Sequence, residues 1–262
     1  MERPQGAREM KLIVNADDFG YSERISAGIL RAHRDGIVSA TTLMTNAPHT
    51  DGAAKVARAN PSLDVGVHLV LTFNRPTGDV ARLRTLVDKD GKFFRPKELL
   101  AQNIDREEAL LEYRAQYQKA RRLLGRAPSH LDSHHWVHDH PALEWAIGEL
   151  ARETGAAARI HSDEQRDRLR ARGVRTPDHF AREFQYEGKV GVDSLLVLLQ
   201  RIATEGRGVT ELMCHPGEPD EGLAKRSGYA RERATELATL TDPRVRAAVK
   251  DLGIMLATFA DV

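Results

Sequence analysis

The sequence predicts an α/β fold in which about seven parallel strands alternate with helices, as a (β/α) barrel with one unit missing or distorted. Three observations carry this. Short apolar, β-branched runs alternate along the chain with longer stretches of helical period. Those runs are apolar on both sides of the pleat, as in strands covered on both faces. No Pro/Gly/Ser-rich linker interrupts the 262 residues. The alternation is therefore assigned to a single catalytic domain, residues 11–262, behind an N-terminal extension of residues 1–10. An open doubly wound sheet is the competing architecture.

Taken in order, Lys11-Leu-Ile-Val-Asn-Ala16 is a buried strand running into two carboxylates, Asp17 and Asp18. Ser22 caps a helix that places Ile25, Ile29, Leu30 and His33 on one face and stops at Gly36. Val38 to Met44 is the second strand, and the helix after it, Thr50 to Ala59, is ended by Asn60-Pro61. Asp64 to Leu71 is the third strand, apolar apart from His68. Residues 75–96 mix Pro, Gly and charge, and read as a long functional loop. A charged amphipathic helix then covers Arg106 to Leu124, ends at Gly125, and leads to a short strand, Ser129 to Ser133. Further helices are expected at Ala142 to Glu153, Val192 to Glu205 and Pro243 to Leu252. Strands are expected at Ala157 to Ile160, Val209 to Cys214 and Ile254 to Phe259.

Composition excludes several classes of function. Lys+Arg 39 against Asp+Glu 38 leaves a net charge of +1, which offers no global attraction to nucleic acid or an anionic membrane. No run approaches the roughly 18 apolar residues of a membrane-spanning helix. The first twenty residues lack the apolar core of a secretory signal, and the lone Cys214 cannot form an internal disulfide. A reducing, cytoplasmic setting is expected.

Histidine is the informative residue. Five of the 11 histidines (His130, His134, His135, His138 and His140) fall within eleven positions, in a His-x-Asp-x-His-His-x-x-His run leaving a strand. Imidazole with neighbouring carboxylate is metal-ligand chemistry, although no standard zinc spacing is present and a solvated loop would look similar. Asp17-Asp18 ends the first strand; adjacent carboxylates repel unless a cation or hydrogen bonds offset them, and a helix N-terminus could also serve. His68 inside an apolar strand reads alone as a core residue. Met213-Cys-His-Pro-Gly217 puts His215 and Cys214 at another strand end; His215 is preferred as the active group, because nothing adjacent supplies a base to the thiol. If the strands are parallel, their C-terminal ends meet at one mouth, and Asp17, Asp18, His68, His134 and His215 converge there.

Together Asn15-Ala-Asp-Asp-Phe-Gly20, Gly66-Val-His-Leu69, His130-Leu-Asp-Ser-His-His-Trp-Val-His138 and Met213-Cys-His-Pro216 resemble the YdjC/ChbG family of carbohydrate deacetylases, notably chitooligosaccharide deacetylases, from Leu12 to about Val262. The resemblance implies a distorted (β/α) barrel and one divalent metal ion, magnesium or zinc, on Asp18, His68 and His134. It further implies Asp17 as catalytic base and His215 as general acid. Trp136, His138 and Asp132 are assigned to substrate contact. Trp136 stands where the family usually has a third consecutive histidine, which leaves the ligands intact but alters the neighbourhood of the pocket.

The expected reaction is metal-dependent removal of N-acetyl groups from N-acetylglucosamine-containing oligosaccharides, with release of acetate. A small saccharide is the expected partner, with no nucleic acid or membrane, and a homodimer is the family expectation. The rivals are metal-dependent phosphoester hydrolysis, for which the motifs show no Gly-rich phosphate loop or Lys/Arg cluster, and a non-catalytic metal-loaded sugar-binding module, which would have no need of Asp17 and His215.

Overall fold

The computed structural model describes residues 10–205, 208–218 and 229–262, so all of the N-terminal extension but Met10 lies outside the described residues. Eight parallel strands form one sheet: β1 (Lys11–Phe19), β2 (Ala40–Met44), β3 (Asp64–Leu69), β4 (His130–Ser133), β5 (Ala157–Ala158), β6 (His179–Ala181), β7 (Val209–Cys214) and β8 (Met255–Leu256). Their order is β5-β4-β3-β2-β1-β7-β6, with β8 beside the start of β1. Read cyclically, each crossover among β1 to β7 steps in the same direction around the sheet. A doubly wound sheet would reverse direction at its switch point. The sheet is thus a distorted barrel, opened between β5 and β6, and the expectation of one missing unit corresponds to that gap.

Helices cover the outside: α1 (Glu23–Asp35), α2 (Thr50–Ala59), α3 (Pro96–Leu100), α4 (Arg106–Leu124), α5 (Pro141–Thr154), α6 (Asp163–Ala171), α7 (Val192–Glu205), α8 (Ala230–Leu240) and α9 (Pro243–Asp251). Local chemistry sets their ends. The Ser22 hydroxyl accepts the Ile25 N–H at the start of α1, and Asp105 accepts those of Glu107 and Glu108 at the start of α4. Gly125 closes α4 in the left-handed region, φ +69°, returning its N–H to the Arg121 carbonyl. No described helix is long and apolar enough to cross a membrane.

Sequence and structure part company in several elements. Helices α3, α6 and α8 and strand β6 have no counterpart in the apolar pattern. Only Gln165 and Leu169 of α6 are buried, while α8 buries Arg233 and Glu236 beside its apolar residues. Strand β6 is three residues long and starts exposed. The last strand also shrinks, from Ile254–Phe259 to Met255–Leu256, because the chain turns into a short 3-10 helix at Phe259.

The long loop is anchored from α4. Buried Glu112 accepts the N–H groups of Thr77 and Gly78, each at 2.8 Å, and Glu108 accepts the N–H and hydroxyl of Thr85 at 2.7 and 2.8 Å. These i, i+4 carboxylates hold the loop by its backbone.

Above a small apolar cluster of Ile13, Ala40, Ala157, Val209, Ala257 and Phe259, the barrel interior holds a polar network. Arg159, just beyond β5 and without exposed surface, donates from Nη1 and Nη2 to the two oxygens of Asp17 (2.7 Å each) and from Nε to Glu211 on β7 (2.7 Å). Its Nη2 also stands 3.0 Å from Asp132 on β4. His130 lies beneath this group, stacked on Phe259 with ring centroids 3.6 Å apart, with Nδ1 at 2.7 Å from the Ser129 hydroxyl and Nε2 at 3.0 Å from Asn15 Oδ1.

Burial pushes the His130 pKa down to about 4, against the attraction of Asp64 and Asp132. An unfolded histidine titrates near 6.5. Between those values the unfolded chain takes a proton that the folded one refuses, so stability rises with pH across the window and is lost as pH falls through it, by on the order of 3 kcal/mol for this one group. Thermal melts from pH 7 to 4 should show this fall, and His130→Gln, which cannot titrate, should show a shallower slope; identical slopes would remove His130 from the account.

Candidate active site

Side chains on a regular strand alternate between faces, so Asp17 and Asp18 should point apart. They do not, because β1 shifts register against β2 between Ala16 and Phe19, and Asp18 adopts φ +69°. A left-handed conformation in a non-glycine residue is strained and is found preferentially at functional sites. Here it delivers both carboxylates to the C-terminal mouth of the barrel. A cleft of about 920 Å³ opens there, with Asp17, Asp18, His68, His134, Trp136 and His215 in its wall.

Asp18, His68 and His134 form a tripod. Asp18 Oδ1 is 3.3 Å from His68 Nε2 and 3.2 Å from His134 Nδ1, and the two ring nitrogens are 3.2 Å apart. Ligands about 2.1 Å from one ion stand about 3.0 Å apart at right angles and about 3.4 Å apart at the tetrahedral angle, so the three atoms have the spacing of one face of a coordination shell. Asp18 Oδ1 is buried and receives no hydrogen bond. Two imidazole nitrogens and an orphaned carboxylate oxygen converging on one point fit a divalent cation.

The surroundings fix the tripod's chemistry. His68 Nδ1 lies 2.7 Å from Asp132 Oδ1; the ionised carboxylate only accepts, so Nδ1 carries the proton and Nε2 presents its lone pair to the tripod. Asp132 Oδ2 accepts from Thr42 at 2.9 Å and Asn15 at 3.3 Å. Burial opposes a charge on His68, but the charge and hydrogen bond of Asp132, with Asp18 and Asp17 beyond, push its pKa up to about 10. This is a site that attracts positive charge.

Asp17 Oδ2 stands 3.8 Å from His215 Nε2. The Arg159 fork and an Asn15 N–H at 3.0 Å orient the Asp17 carboxylate. His215 follows β7 directly, its ring edge-on to Tyr229 and its Nδ1 buried without a hydrogen bond. Burial pushes the His215 pKa down to about 4 against the attraction of Asp17, so the ring rests neutral rather than poised near neutrality as a general acid would suggest.

Two expected substrate contacts need correction. Asp132 and His138 have no exposed surface. Asp132 lies behind His68, and the His138 ring packs on His161 with its Nδ1 hydrogen-bonded to Ser133, so neither side chain reaches a molecule in the cleft. Trp136 does line the cleft, half-buried at φ +59°, against His161 and Phe180 and with the Arg182 guanidinium 4.8 Å over its ring. Sequence reasoning missed Arg159, Arg233, Glu211 and Glu236. Arg159 and Glu211 left a signal: like His68, each is a polar side chain inside an apolar run, Ala157-Ala-Arg-Ile160 and Val209-Thr-Glu-Leu-Met-Cys214.

The chain is 39% identical to a carbohydrate deacetylase of Geobacillus stearothermophilus, covering 95% of this chain and 96% of that one. It is 37% identical to a chitooligosaccharide deacetylase of Yersinia pestis (strain Pestoides F), covering 97% and 99%. A crystal structure from Enterococcus faecalis V583, of a protein named for cellobiose-phosphate cleavage, superposes with a TM-score of 0.89 at 35% identity over 96% of this chain and 98% of that one. A family 4 carbohydrate esterase from Streptomyces lividans shares the fold, with a TM-score of 0.52 at 11% identity over 96% and 92%. Residues 11–251 match the sequence pattern of the YdjC-like proteins, and the chain belongs to that family.

Proposed function

We propose that this protein is a metal-dependent carbohydrate N-deacetylase acting on N-acetylglucosamine-containing oligosaccharides, with residues 11–262 as one catalytic unit. The observation that carries the proposal is the meeting, in one cleft, of the Asp18–His68–His134 tripod with the facing pair Asp17 and His215. Full-length relatives named as carbohydrate and chitooligosaccharide deacetylases support the substrate class.

Hydrolysing an acetamide breaks a water O–H bond and the C–N bond, and delivers one proton to the departing amine. Asp17, held by Arg159 and Asn15, accepts the proton of the attacking water. His215, 3.8 Å across from Asp17, hands a proton to the nitrogen. Because burial keeps the ring neutral at rest, it first takes up the proton that Asp17 has removed from the water, which the negative charge developing beside it favours. That is the proton it passes to the nitrogen. Acetate and a free amino sugar are the products. A divalent cation held by Asp18, His68 and His134 supplies Lewis-acid stabilisation of the charge developing on the acetyl oxygen. Two imidazoles in the donor set favour a borderline ion such as zinc over magnesium.

Acetate release from N,N′-diacetylchitobiose, with metal and with chelator, tests this reading; phosphate release from phosphoester substrates without acetate release would favour the rival hydrolase. The purified protein should carry about one divalent ion per chain, and His68→Ala and His134→Ala should each lose it. Unchanged metal content by elemental analysis in both variants would dismiss the tripod. Asp17→Asn should keep the metal and lose at least about a hundredfold in kcat, as should His215→Ala. Near-normal turnover in either would mean that the proton carriers are misassigned. Trp136 offers an indole face to a pyranose ring, so Trp136→Ala should raise KM for an oligosaccharide several-fold while kcat stays within about a factor of two; a large drop in melting temperature with unchanged KM would make it wall packing only.

A further inference from the structure

Helix α8 brings two buried charges to the site. Arg233 donates from Nη2 to Asp18 Oδ2, leaving Oδ1 as the oxygen that faces His68 and His134. One turn later Glu236, with no exposed surface, accepts the backbone N–H of His215 on Oε2 and the hydroxyl of Tyr229 on Oε1. The i, i+3 spacing places both on the same face. Burying two charges on the inward face of a helix is costly, and apolar residues of similar size would pack there at no such cost.

The helix is also seated closely. The Gly217 N–H donates to the Arg233 carbonyl at 3.1 Å. On the other side α1 clears the path: a Cβ at Gly28 would lie 2.6 Å from Gly217 Cα, and one at Gly36, just past α1, 2.3 Å from the Leu240 carbonyl oxygen. Only glycine admits backbone this near. The segment carrying His215 and the C-terminal end of α8 are therefore both set by contact with α1.

We propose that α8 is the positioning helix of this site. Arg233 fixes the Asp18 carboxylate so that one oxygen alone completes the tripod, and Glu236 fixes the backbone at His215 so that its ring is held toward Asp17. Both are positioning residues acting through neighbours. The Glu236 half rests on the deacetylase reading; the Arg233 half is read from metal binding alone.

The test separates the two. In competition with a chromophoric chelator, Arg233→Met should bind cobalt(II) about tenfold more weakly than wild type, the usual scale for losing a group that orients a ligand, and Arg233→Lys should recover part of the loss. Glu236→Gln keeps one acceptor and should leave cobalt affinity and KM unchanged while lowering kcat about tenfold. Should Arg233→Met fail to fold, Arg233→Gln carries the same expectation. Unchanged or tighter cobalt binding without Arg233, or equal losses of metal affinity in the Arg233 and Glu236 variants, overturns the proposal, the latter showing general loosening. If wild type binds cobalt but releases no acetate from any N-acetylated sugar, the deacetylase reading fails, while the cobalt titrations still judge Arg233.

Discussion

The structure is organised around one buried guanidinium. Arg159 reaches from the end of β5 to Asp17 on β1, Asp132 on β4 and Glu211 on β7, so a single side chain ties together strands on both sides of the opening in the barrel. One positive charge does not balance three carboxylates, and the remainder is met locally. Burial pushes Glu211 up to about 7, which lightens its charge, and Asp132 accepts hydrogen bonds from His68 Nδ1 and the Thr42 hydroxyl. Removing one partner from such a network typically costs about 3–5 kcal/mol, because the others are left charged in a dry interior. The carboxylate proposed as the base and the structural centre of the barrel thus belong to the same network.

Around that centre, distortion of regular structure does the aiming. An ideal β1 would send one of its two terminal carboxylates into the helical layer; the register shift and left-handed Asp18 keep both at the mouth. Two further left-handed residues, His135 and Trp136, turn the chain after β4 so that His134 and Trp136 flank the cleft while His138 returns to the interior. Conformational cost is concentrated where the chemistry is, as expected when rigid elements overdetermine a few strained residues.

What could be read from the sequence follows from which signals are local. Strands β1, β3 and β7 announce themselves because a buried parallel strand is apolar throughout, and each polar exception in them, His68 above all, marks a residue with a task. Helix α4 is legible because its amphipathic period and its closing Gly125 are local signals, to which the structure adds the Asp105 cap. The tripod became legible only by combining strand ends that are far apart in the chain. Arg233 and Glu236 were not legible: on α8 they occupy the inward face, and pattern reasoning assigns charged residues to solvent. Asp132 and His138 were placed on the substrate because they lie in the histidine-rich run, whereas the pleat and the turn after it direct them inward.

The anchoring of the long loop carries a consequence for divergence within the family. Glu112 and Glu108 hold residues 77, 78 and 85 chiefly by backbone N–H groups, which almost any residue can offer. The loop's exposed side chains in the cleft wall, Lys92 and Arg95, are therefore free to be exchanged without cutting the loop from its support, while Leu83, Leu86 and Phe93 stay packed in the core. On the proposed deacetylase reading, a barrel built this way can change the sugar it accepts by altering the sequence of one segment, while Asp18, His68, His134 and the buried arginine remain as they are.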